Sequence, residues 1–449
     1  MEYMPWLDIA VAVGLIATLL TALTTRKRSL TPVSVVGGAA FILLGVAWWV
    51  EGDRWQVIAL TVCGALVAGL AVWARSGRLT VLSRAASVVV VAALVIVAGA
   101  AWGLPPLRVP VPSGPQAVGV GSTVWIDDTR DARGGDGGEG ESRSIPATVW
   151  YPASASGEAA AYLPDRGRVD ELTGGLAAQY GMPALMFDGV ARARANATED
   201  APPTDGRFPV VVASPGSGST RWLMTSWAEE LASHGIIVVA LDHPYDSASA
   251  ELADGSTADS ELVATGDDEC DQAAADAAAA IRAQDISAVI DRIDRGDAGL
   301  PALDHADPSL IIAAGHSLGG AAAVEAARMD DRIRGVIDID GMPRSPAGTD
   351  LGRPVVFLVA GDSDPNPEYE TAVNGFLAHG DAERVTLDGV AHLGFVDAGL
   401  ILAPLPTITG IRGPEGPRLS AQATLALVDA VTSDAPLDQK ALSGIGVVG

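Results

Sequence analysis

Residues 307–328 have the sequence Asp-Pro-Ser-Leu-Ile-Ile-Ala-Ala-Gly-His-Ser-Leu-Gly-Gly-Ala-Ala-Ala-Val-Glu-Ala-Ala-Arg. An apolar run typical of a buried parallel strand leads into a Gly-x-Ser-x-Gly turn and then an alanine-rich helix. Gly315 and Gly319 remove Cβ atoms where the strand and helix backbones come too close for a side chain. Ser317 then lies at a helix N-terminus, where free N–H groups favour developing negative charge. This context predicts a nucleophilic serine, and a purely structural turn is the alternative.

The chain changes character near residue 105. Residues 1–105 contain four apolar runs, each close to the ~20 residues that an α-helix needs to cross a hydrocarbon core. These runs are Trp6–Thr24, Pro32–Val50, Trp55–Ala74 and Ala85–Trp102. Apart from Asp8 near the start of the first run, their ionisable residues lie in the gaps. Because membrane transporters usually carry ionisable residues inside their bundles, the pattern favours a four-helix transmembrane anchor. Four spans also argue against a cleaved signal peptide.

The basic residues between the runs predict how this region is oriented. Cytoplasmic loops carry an excess of Lys and Arg. The first and third gaps have three basic residues each, the second gap has only Arg54, and the leading segment has none. The six are Arg26, Lys27, Arg28, Arg75, Arg78 and Arg84. We therefore expect a multi-pass cell-membrane protein whose termini and C-terminal domain lie outside the cytoplasm.

Residues 106–449 are strongly acidic, with 22 Lys and Arg against 51 Asp and Glu, a net charge of −29. Such a surface repels nucleic acid, which excludes it as a partner. Cys63 lies in an apolar run and Cys270 in an acidic stretch, so no internal disulfide is expected. No His or Cys cluster has zinc-ligand spacing, and the sequence implies neither a metal nor a cofactor. The sequence contains no signal for the oligomeric state.

The rest of the chain alternates between strands and helices. Residues 106–143, rich in Pro and Gly, are expected to form a tether with an exposed hairpin tip. The predicted strands are 144–151 (an edge strand), 208–214, 235–242, 309–314, 334–340, 354–360 and 384–388, and the predicted helices are 222–234, 271–295, 320–329 and 419–433. This alternation predicts a mostly parallel sheet with helices on both faces. With the Ser317 turn, it indicates an α/β-hydrolase fold for residues 144–449, in which 158–206 forms a cap.

A serine hydroxyl needs a general base, and α/β-hydrolases place their catalytic residues in the order Ser, acid, His. His379 and His392 are the histidines that follow Ser317. His379 lies at a predicted helix end, where capping explains it. His392 follows a predicted strand in a glycine-flanked loop, from which its side chain can reach the serine. We therefore assign His392 as the base.

Two carboxylates at strand ends are candidates for the acid that orients the histidine. Asp340 ends the strand 334–340, and Asp364 follows the strand 354–360. Asp338 shares a face with Asp340 but lies deeper in the sheet, which suits a buried structural carboxylate. These residues by themselves leave Asp340 and Asp364 open.

The tetrahedral intermediate of acyl transfer needs backbone N–H donors for its oxyanion. One is the N–H of Leu318, directly after the serine. The other is expected from the loop Ser214-Pro-Gly-Ser-Gly-Ser219, where we choose the N–H of Ser217. A phosphate-binding loop is the alternative for this segment, but it lacks the Lys and the spacing of a P-loop.

Several segments together resemble the plasma-type platelet-activating factor acetylhydrolase family. They are 149–153 (Val-Trp-Tyr-Pro-Ala), 208–219, 231–250 (Leu-Ala-Ser-His-Gly-Ile-Ile-Val-Val-Ala-Leu-Asp-His-Pro-Tyr-Asp-Ser-Ala-Ser-Ala), 315–321 and 391–392. The resemblance covers about residues 144–433 and leaves out the membrane region. Members of that family have the acid in an Asp-x-x-Met-like segment. Asp340-Gly-Met-Pro343 is similar, with Met one position earlier, so the resemblance favours Asp340 over Asp364. Pro215 departs from the family, which has His there.

The resemblance implies a serine carboxylic-ester hydrolase that acts on short-acyl or oxidised-acyl phospholipid esters through an acyl-enzyme, with no cofactor. Ser317 would attack, His392 would transfer the proton, and Asp340 would orient the imidazole. Ser217 and Leu318 would hold the oxyanion. A general carboxylesterase, a polyester hydrolase and an acyltransferase are the enzymatic alternatives. A membrane-anchored ligand-binding or sensor protein is the alternative outside enzymes, and the intact Ser, His and acid argue against it.

Overall fold

The computed structural model describes the chain except residues 1–5, 25–30, 53, 76–80, 105–106, 136–140, 164–165, 180, 263–264, 266–267, 345–348, 362–365, 379–380 and 404. It contains two compact units. One comprises residues 1–106 together with 185–189, and the other comprises residues 107–184 and 190–449.

Within its described residues, the first unit has four long apolar helices: α1 (Trp6–Thr24), α2 (Thr31–Glu51), α3 (Trp55–Arg75) and α4 (Val81–Gly103). Each is long and apolar enough to cross a membrane. Leu15, Leu60 and Leu94 meet in a buried cluster between the helices. Trp49 and Ile96, by contrast, are exposed. Large apolar side chains on the outside of a bundle suit contact with lipid, so the predicted four-helix anchor agrees with the structure.

Asp8, the ionisable residue that the sequence places inside a run, is buried near the start of α1. Its Oδ2 lies 3.4 Å from Arg54 Nη1, and Arg54 also pairs with Glu51 at the end of α2. A charge buried without a partner would be costly, whereas this carboxylate has a cation beside it. The pair therefore fits a structural role at one end of the bundle.

The remaining elements follow in alternation. The strands are β1 (Ala117–Asp131), β2 (Ser142–Ala153), β3 (Ala159–Ala161), β4 (Arg194–Glu199), β5 (Phe208–Ser214), β6 (Ile237–Leu241), β7 (Ser249–Glu251), β8 (Thr257–Asp259), β9 (Ala306–His316), β10 (Ile333–Ile339), β11 (Val355–Ala360), β12 (Ala382–Leu387) and β13 (Val447–Val448). The helices are α5 (Arg166–Gln179), α6 (Asp188–Ala191), α7 (Thr225–Ser233), α8 (Asp268–Arg295), α9 (Leu318–Met329), α10 (Pro367–Leu377), α11 (Ala398–Ile401), α12 (Pro406–Thr409), α13 (Gly416–Ser433) and α14 (Gln439–Ser443).

Eleven strands of the described chain form one sheet, in the order β13-β12-β11-β10-β9-β5-β6-β2-β1-β4-β3. The six central strands from β12 to β6 are parallel, and β2 joins them antiparallel. Helices cover both faces, as neighbouring residues of β10 show. Val336 belongs to the core that includes α8 and α9, while the Cα of Gly335 faces Leu427 and Val431 of α13. Successive residues of a strand point to opposite faces, so the predicted α/β-hydrolase architecture is confirmed.

The prediction for the start of this unit is wrong in two respects. Residues 117–131 were expected to belong to a tether but form β1, and β2 is an interior strand between β1 and β6. The strand was missed because glycines interrupt its pattern. Gly119 stands opposite Tyr151, and a Cβ on Gly119 would lie 2.3 Å from the Tyr151 ring. Glycine there makes room for the tyrosine, a reason that only the pairing shows.

The parallel strands bring the predicted site residues to one edge of the sheet. Loop 214–219 begins at the end of β5, Ser317 follows β9, and Asp340 follows β10. His392 lies five residues after the end of β12. The carboxyl ends of parallel strands share an edge, so residues far apart in the chain meet there.

Candidate active site

Ser317 lies in a strained turn between β9 and α9. Its backbone has φ 57° and ψ −125°, a conformation that residues other than glycine rarely adopt. The backbone N–H of Ser317 donates to the carbonyl of Ile339 at 2.9 Å. A Cβ on Gly315 would lie 2.2 Å from the carbonyl of Gly319, and a Cβ on Gly319 would lie 2.0 Å from the carbonyl oxygen of Ser214. Both glycines are therefore sterically required, as the turn predicted from the sequence demands.

His392 and Asp340 are in contact at the same edge. His392 Nδ1 lies 2.6 Å from Asp340 Oδ2. Asp340 Oδ1 accepts a hydrogen bond from the backbone N–H of Ala360 at 2.7 Å, which fixes the carboxylate plane. Asp340 has φ 55°, so the chain turns sharply as β10 ends. The His392 side chain is 43% exposed, so part of the ring faces solvent.

The sequence also offered Asp364, His379 and Asp338 as possible site residues. Asp364 and His379 lie outside the described residues. Asp338 is buried, its Oδ1 accepts from the N–H of Gly341 at 2.7 Å, and burial raises the pKa of this carboxyl well above its usual value. It therefore holds the turn that carries Asp340.

Ser317 Oγ makes no hydrogen bond in the described part of the chain, but its neighbour His316 contacts His392. The His316 and His392 rings have centroids 4.6 Å apart. His316 Nε2 lies 2.9 Å from the carbonyl oxygen of His392. Burial, followed by the nearby charge of His392, lowers the pKa of His316 to about 3. His316 is thus neutral near pH 7 and donates from Nε2 to the backbone carbonyl of His392. From the sequence we expect the side chain of His316, as the immediate neighbour of Ser317, to point away from the site, and its contacts with His392 show that this expectation is wrong.

The loop after β5 covers the serine turn. An ideal Cβ on Gly216 would lie 3.4 Å from Ser317 Cβ. The predicted oxyanion donors, the backbone N–H groups of Ser217 and Leu318, have no acceptor within the described chain. Two unpaired N–H groups beside a serine can donate hydrogen bonds to an oxygen on which negative charge develops.

A cleft of about 680 Å³ lies next to this loop, between α5, Ala248 and the segment from β8 to Leu262. Leu262 packs against a cluster that includes Leu318. Gln179 of α5 lies against Gly218, where a Cβ would be 2.1 Å from the amide carbon of the glutamine. Part of the predicted cap thus borders the site. The lining includes Asp170, Glu171 and Asp259, so the cleft carries negative charge.

Ser214, His243 and Asp285 form a second Ser-His-Asp arrangement. His243 Nε2 is 2.9 Å from Ser214 Oγ, and His243 Nδ1 is 2.7 Å from Asp285 Oδ2. All three residues have no solvent-exposed surface. An ester has no access to Ser214, so this arrangement is structural. Separately, the described residues contain no group of three His, Cys, Asp or Glu side chains placed to hold a metal ion.

Comparisons with known proteins agree with this architecture. The sequence profile of "platelet-activating factor acetylhydrolase, isoform II" matches residues 107–424. A "probable 1-alkyl-2-acetylglycerophosphocholine esterase" of Arthroderma benhamiae is 27% identical over 181 residues, which are 40% of this chain and 41% of that relative. The chain thus spans less than half the length of this curated relative. The structure of a ferulic acid esterase from Streptomyces cinnamoneus superposes with a TM-score of 0.60 at 27% identity, covering 74% of this chain and 96% of the other.

Proposed function

Since the chain belongs to the platelet-activating factor acetylhydrolase, isoform II, family, we propose that it is a membrane-anchored serine carboxylic-ester hydrolase. The observation that carries this proposal is the contact of His392 with Asp340 beside the strained Ser317 turn. A carboxylate on Nδ1 selects the tautomer in which Nε2 is free to take a proton. The two matched esterases support the same reaction class.

In this proposal Ser317 Oγ attacks the ester carbonyl while His392 Nε2 removes its proton. The carbonyl oxygen becomes an oxyanion that accepts from the N–H groups of Leu318 and Ser217. His392 then returns the proton to the departing alcohol, which leaves an acyl-enzyme on Ser317. Water, deprotonated by His392, hydrolyses the acyl-enzyme and restores the serine. Asp340 stays ionised throughout and stabilises the imidazolium.

Esters with short or oxidised acyl chains on a lipid alcohol are the proposed substrates. The acetyl-ester name of the curated relative supports a short acyl group. The cleft lined by α5 and Leu262 has a volume of about 680 Å³, and its carboxylates Asp170, Glu171 and Asp259 disfavour anionic esters. The ferulic acid esterase neighbour favours, as a second candidate, an ester of an aromatic acid. A polyester hydrolase or an acyltransferase would use the same acyl-enzyme.

We also propose that the hydrolase domain lies outside the cytoplasm and begins near Leu107, since β1 belongs to its sheet. The support for the orientation is the basic residues in alternate gaps of the sequence. Reporter fusions at the C-terminus test it: an enzyme reporter that is active only after export should be active in intact cells. Activity of a reporter that works only in the cytoplasm would refute the orientation.

Fluorophosphonate labelling of the full chain in membranes tests the function. Wild-type protein should be labelled and should hydrolyse short-chain p-nitrophenyl esters, and Ser317→Ala should lose both properties while keeping the melting temperature. A panel of acyl lengths beside a feruloyl ester then separates the two substrate classes. Labelling that persists in Ser317→Ala would contradict the assignment of the nucleophile.

A further inference from the structure

A buried guanidinium lies beneath the loop that covers the serine. Arg282 of α8 has no solvent-exposed surface. It donates from Nη1 to Ser214 Oγ at 3.1 Å and to the carbonyl oxygen of Pro215, and from Nη2 to the carbonyl oxygen of Gly216 at 3.3 Å. One cation thus holds three consecutive residues of the loop. Arginine suits this task because its donors form a rigid planar fork.

The contact with Gly216 helps to fix the direction of the next N–H, together with the hydrogen bond that the N–H of Ser219 donates to the same carbonyl oxygen at 3.2 Å. In a trans peptide the C=O of one residue and the N–H of the next point in opposite directions, and the Gly216–Ser217 peptide is trans. Because the Gly216 carbonyl points toward Arg282, the N–H of Ser217 points away from α8. The loop at Gly216 also abuts Ser317. Arg282 therefore aims the candidate oxyanion donor.

The same contact strengthens that donor. A charged group bonded to a peptide carbonyl polarises the peptide, and hydrogen bonds in a chain reinforce one another. In a site shielded from water this polarisation is screened little. The N–H of Ser217 is therefore a better donor than an N–H whose carbonyl faces water.

Asp246 holds the loop from its other end. Its Oδ2 accepts from Arg282 Nε at 2.5 Å, and its backbone carbonyl accepts from the N–H of Gly218 at 3.0 Å. Burial by itself raises the pKa of Asp246, but the charge and hydrogen bond of Arg282 outweigh it and lower that pKa. The carboxylate is ionised and neutralises the buried cation. Residues 214–218 are thereby fixed on both sides.

His243 completes the support at Ser214. Asp285 accepts two hydrogen bonds from Arg143, at 3.0 and 2.7 Å, and so is ionised. His243 then donates from Nδ1 to Asp285, which leaves Nε2 as an acceptor for the Ser214 hydroxyl. Burial, followed by the charge of Arg282, lowers the pKa of His243, in agreement with a neutral ring. With its proton directed at His243, Ser214 Oγ can accept from Arg282.

We propose that Arg282 and His243 are positioning residues of the ester hydrolysis: they hold the Gly216–Ser217 peptide so that the N–H of Ser217 donates to the oxyanion. Neither touches the substrate, and Ser214 does not react. The proposal rests on the serine mechanism proposed above, and it goes beyond that mechanism by explaining how the second oxyanion donor is held.

The test compares Arg282→Lys, Arg282→Met and His243→Asn in the full chain. Asn keeps a donor near the position of Nδ1 but loses the reach to Ser214. Arg332→Lys is the matched control, because Arg332 pairs with Asp330 and Asp291 just before β10 begins, at the opposite edge of the sheet from Asp340. For each variant we would measure the melting temperature, kcat and KM with a short-chain ester. We would also measure inhibition by a trifluoromethyl ketone, which forms an oxyanion adduct, and by the matching methyl ketone, which does not.

Removal of one oxyanion donor costs about 10²–10³ in kcat, so a misaimed donor should cost a sizeable part of that. We expect kcat to fall about 10- to 100-fold in Arg282→Lys and His243→Asn, and further in Arg282→Met. KM should change less than about twofold, because the effect acts on the transition state. Trifluoromethyl ketone binding should weaken in parallel with kcat, while methyl ketone binding and Arg332→Lys should stay near wild type.

Two results would overturn the proposal. The first is that Arg282→Lys and His243→Asn fold and keep the wild-type kcat. The second is a loss of kcat accompanied by an equal weakening of trifluoromethyl ketone binding and methyl ketone binding. If Arg282→Met does not fold, the two milder variants decide. These failures leave the serine mechanism standing when wild-type protein is active and Ser317 is labelled by a fluorophosphonate. A wild-type protein with neither property would instead refute the proposed function, and this inference with it.

Discussion

Replacement of Asp340 by Asn tests whether Asp340, rather than Asp364, is the acid that orients His392. In the structure each carboxylate oxygen has its own donor: Oδ1 accepts from the N–H of Ala360, and Oδ2 lies 2.6 Å from His392 Nδ1. An asparagine has one acceptor oxygen and one donor NH2 group. If its NH2 group faced Ala360, two donors would meet. The amide oxygen must therefore stay with Ala360, and the NH2 group must face His392.

That orientation forces the wrong tautomer on the base. His392 Nδ1 would have to accept from the amide, so its proton would move to Nε2, where the nitrogen must be free to deprotonate Ser317. The equivalent change in a well-studied serine protease triad costs about 10⁴ in kcat. At about 1.4 kcal/mol for each factor of ten, this is about 5 kcal/mol of lost transition-state stabilisation. We expect the same order for Asp340→Asn.

The assay measures kcat with a short-chain p-nitrophenyl ester for Asp340→Asn and Asp364→Asn, with melting temperatures as the check on folding. Asp364→Asn should reduce kcat by less than about tenfold, because no role in holding the base is expected for it. Near-normal Asp340→Asn beside strongly impaired Asp364→Asn would reverse the assignment. Comparable losses in both would indicate that the two carboxylates share the histidine.

Three further changes follow from the same geometry. His316→Gln keeps a donor for the His392 carbonyl but removes a group whose pKa is about 3 in the folded chain and about 6.5 when unfolded. Between these values the unfolded state binds more protons, so wild type loses stability as pH falls from 6.5 toward 3, and the variant should lose less in melting scans over that range. Gly319→Ala should lower the melting temperature or prevent folding, since its Cβ would lie 2.0 Å from the carbonyl oxygen of Ser214; a stable variant would contradict the turn geometry. A chain that starts at Leu107 should be soluble and active in the same ester assay, because the proposed catalytic residues all lie beyond it; a folded but inactive truncation would mean that the membrane helices shape the site.

The strands that were predictable from the sequence are those with the same apolar surroundings on both faces. Strand β11 is apolar throughout, and β5 and β9 contain the buried apolar runs 210–213 and 311–314, because helices cover both faces of these strands. Such runs are visible without a structure. Strand β1 is half exposed, and Gly119 and Gly121 interrupt its alternation. Its glycine at 119 is explained by Tyr151 on the paired strand, and no local pattern contains that information.

The residues of the site also divide into those that a local sequence pattern predicts and those that only the three-dimensional structure explains. The Ser317 turn has a local reason for each glycine, so the motif alone predicts it. The choice of acid depends on which strand end faces His392, a property of the sheet that the sequence left to family resemblance. Arg282 and Asp285 were not singled out at all. They lie on a long helix with many charged residues, where a solvated face is the default, and their burial against β5 becomes apparent only in three dimensions.

The proposed catalytic residues and the buried Ser214, His243 and Asp285 are the same three residue types in different surroundings. Ser214 Oγ has a histidine nitrogen at 2.9 Å and an aspartate behind that histidine, whereas Ser317 Oγ makes no hydrogen bond within the described residues. Yet Ser214 ends a regular strand, is buried, and has its lone pairs directed at Arg282. Ser317 lies in a strained turn at the start of α9, with unpaired N–H groups beside it and a cleft nearby. Ser214 and Ser317 therefore differ in exposure to solvent and in whether N–H donors for an oxyanion lie beside them. The buried arrangement holds the loop that supplies one of these donors.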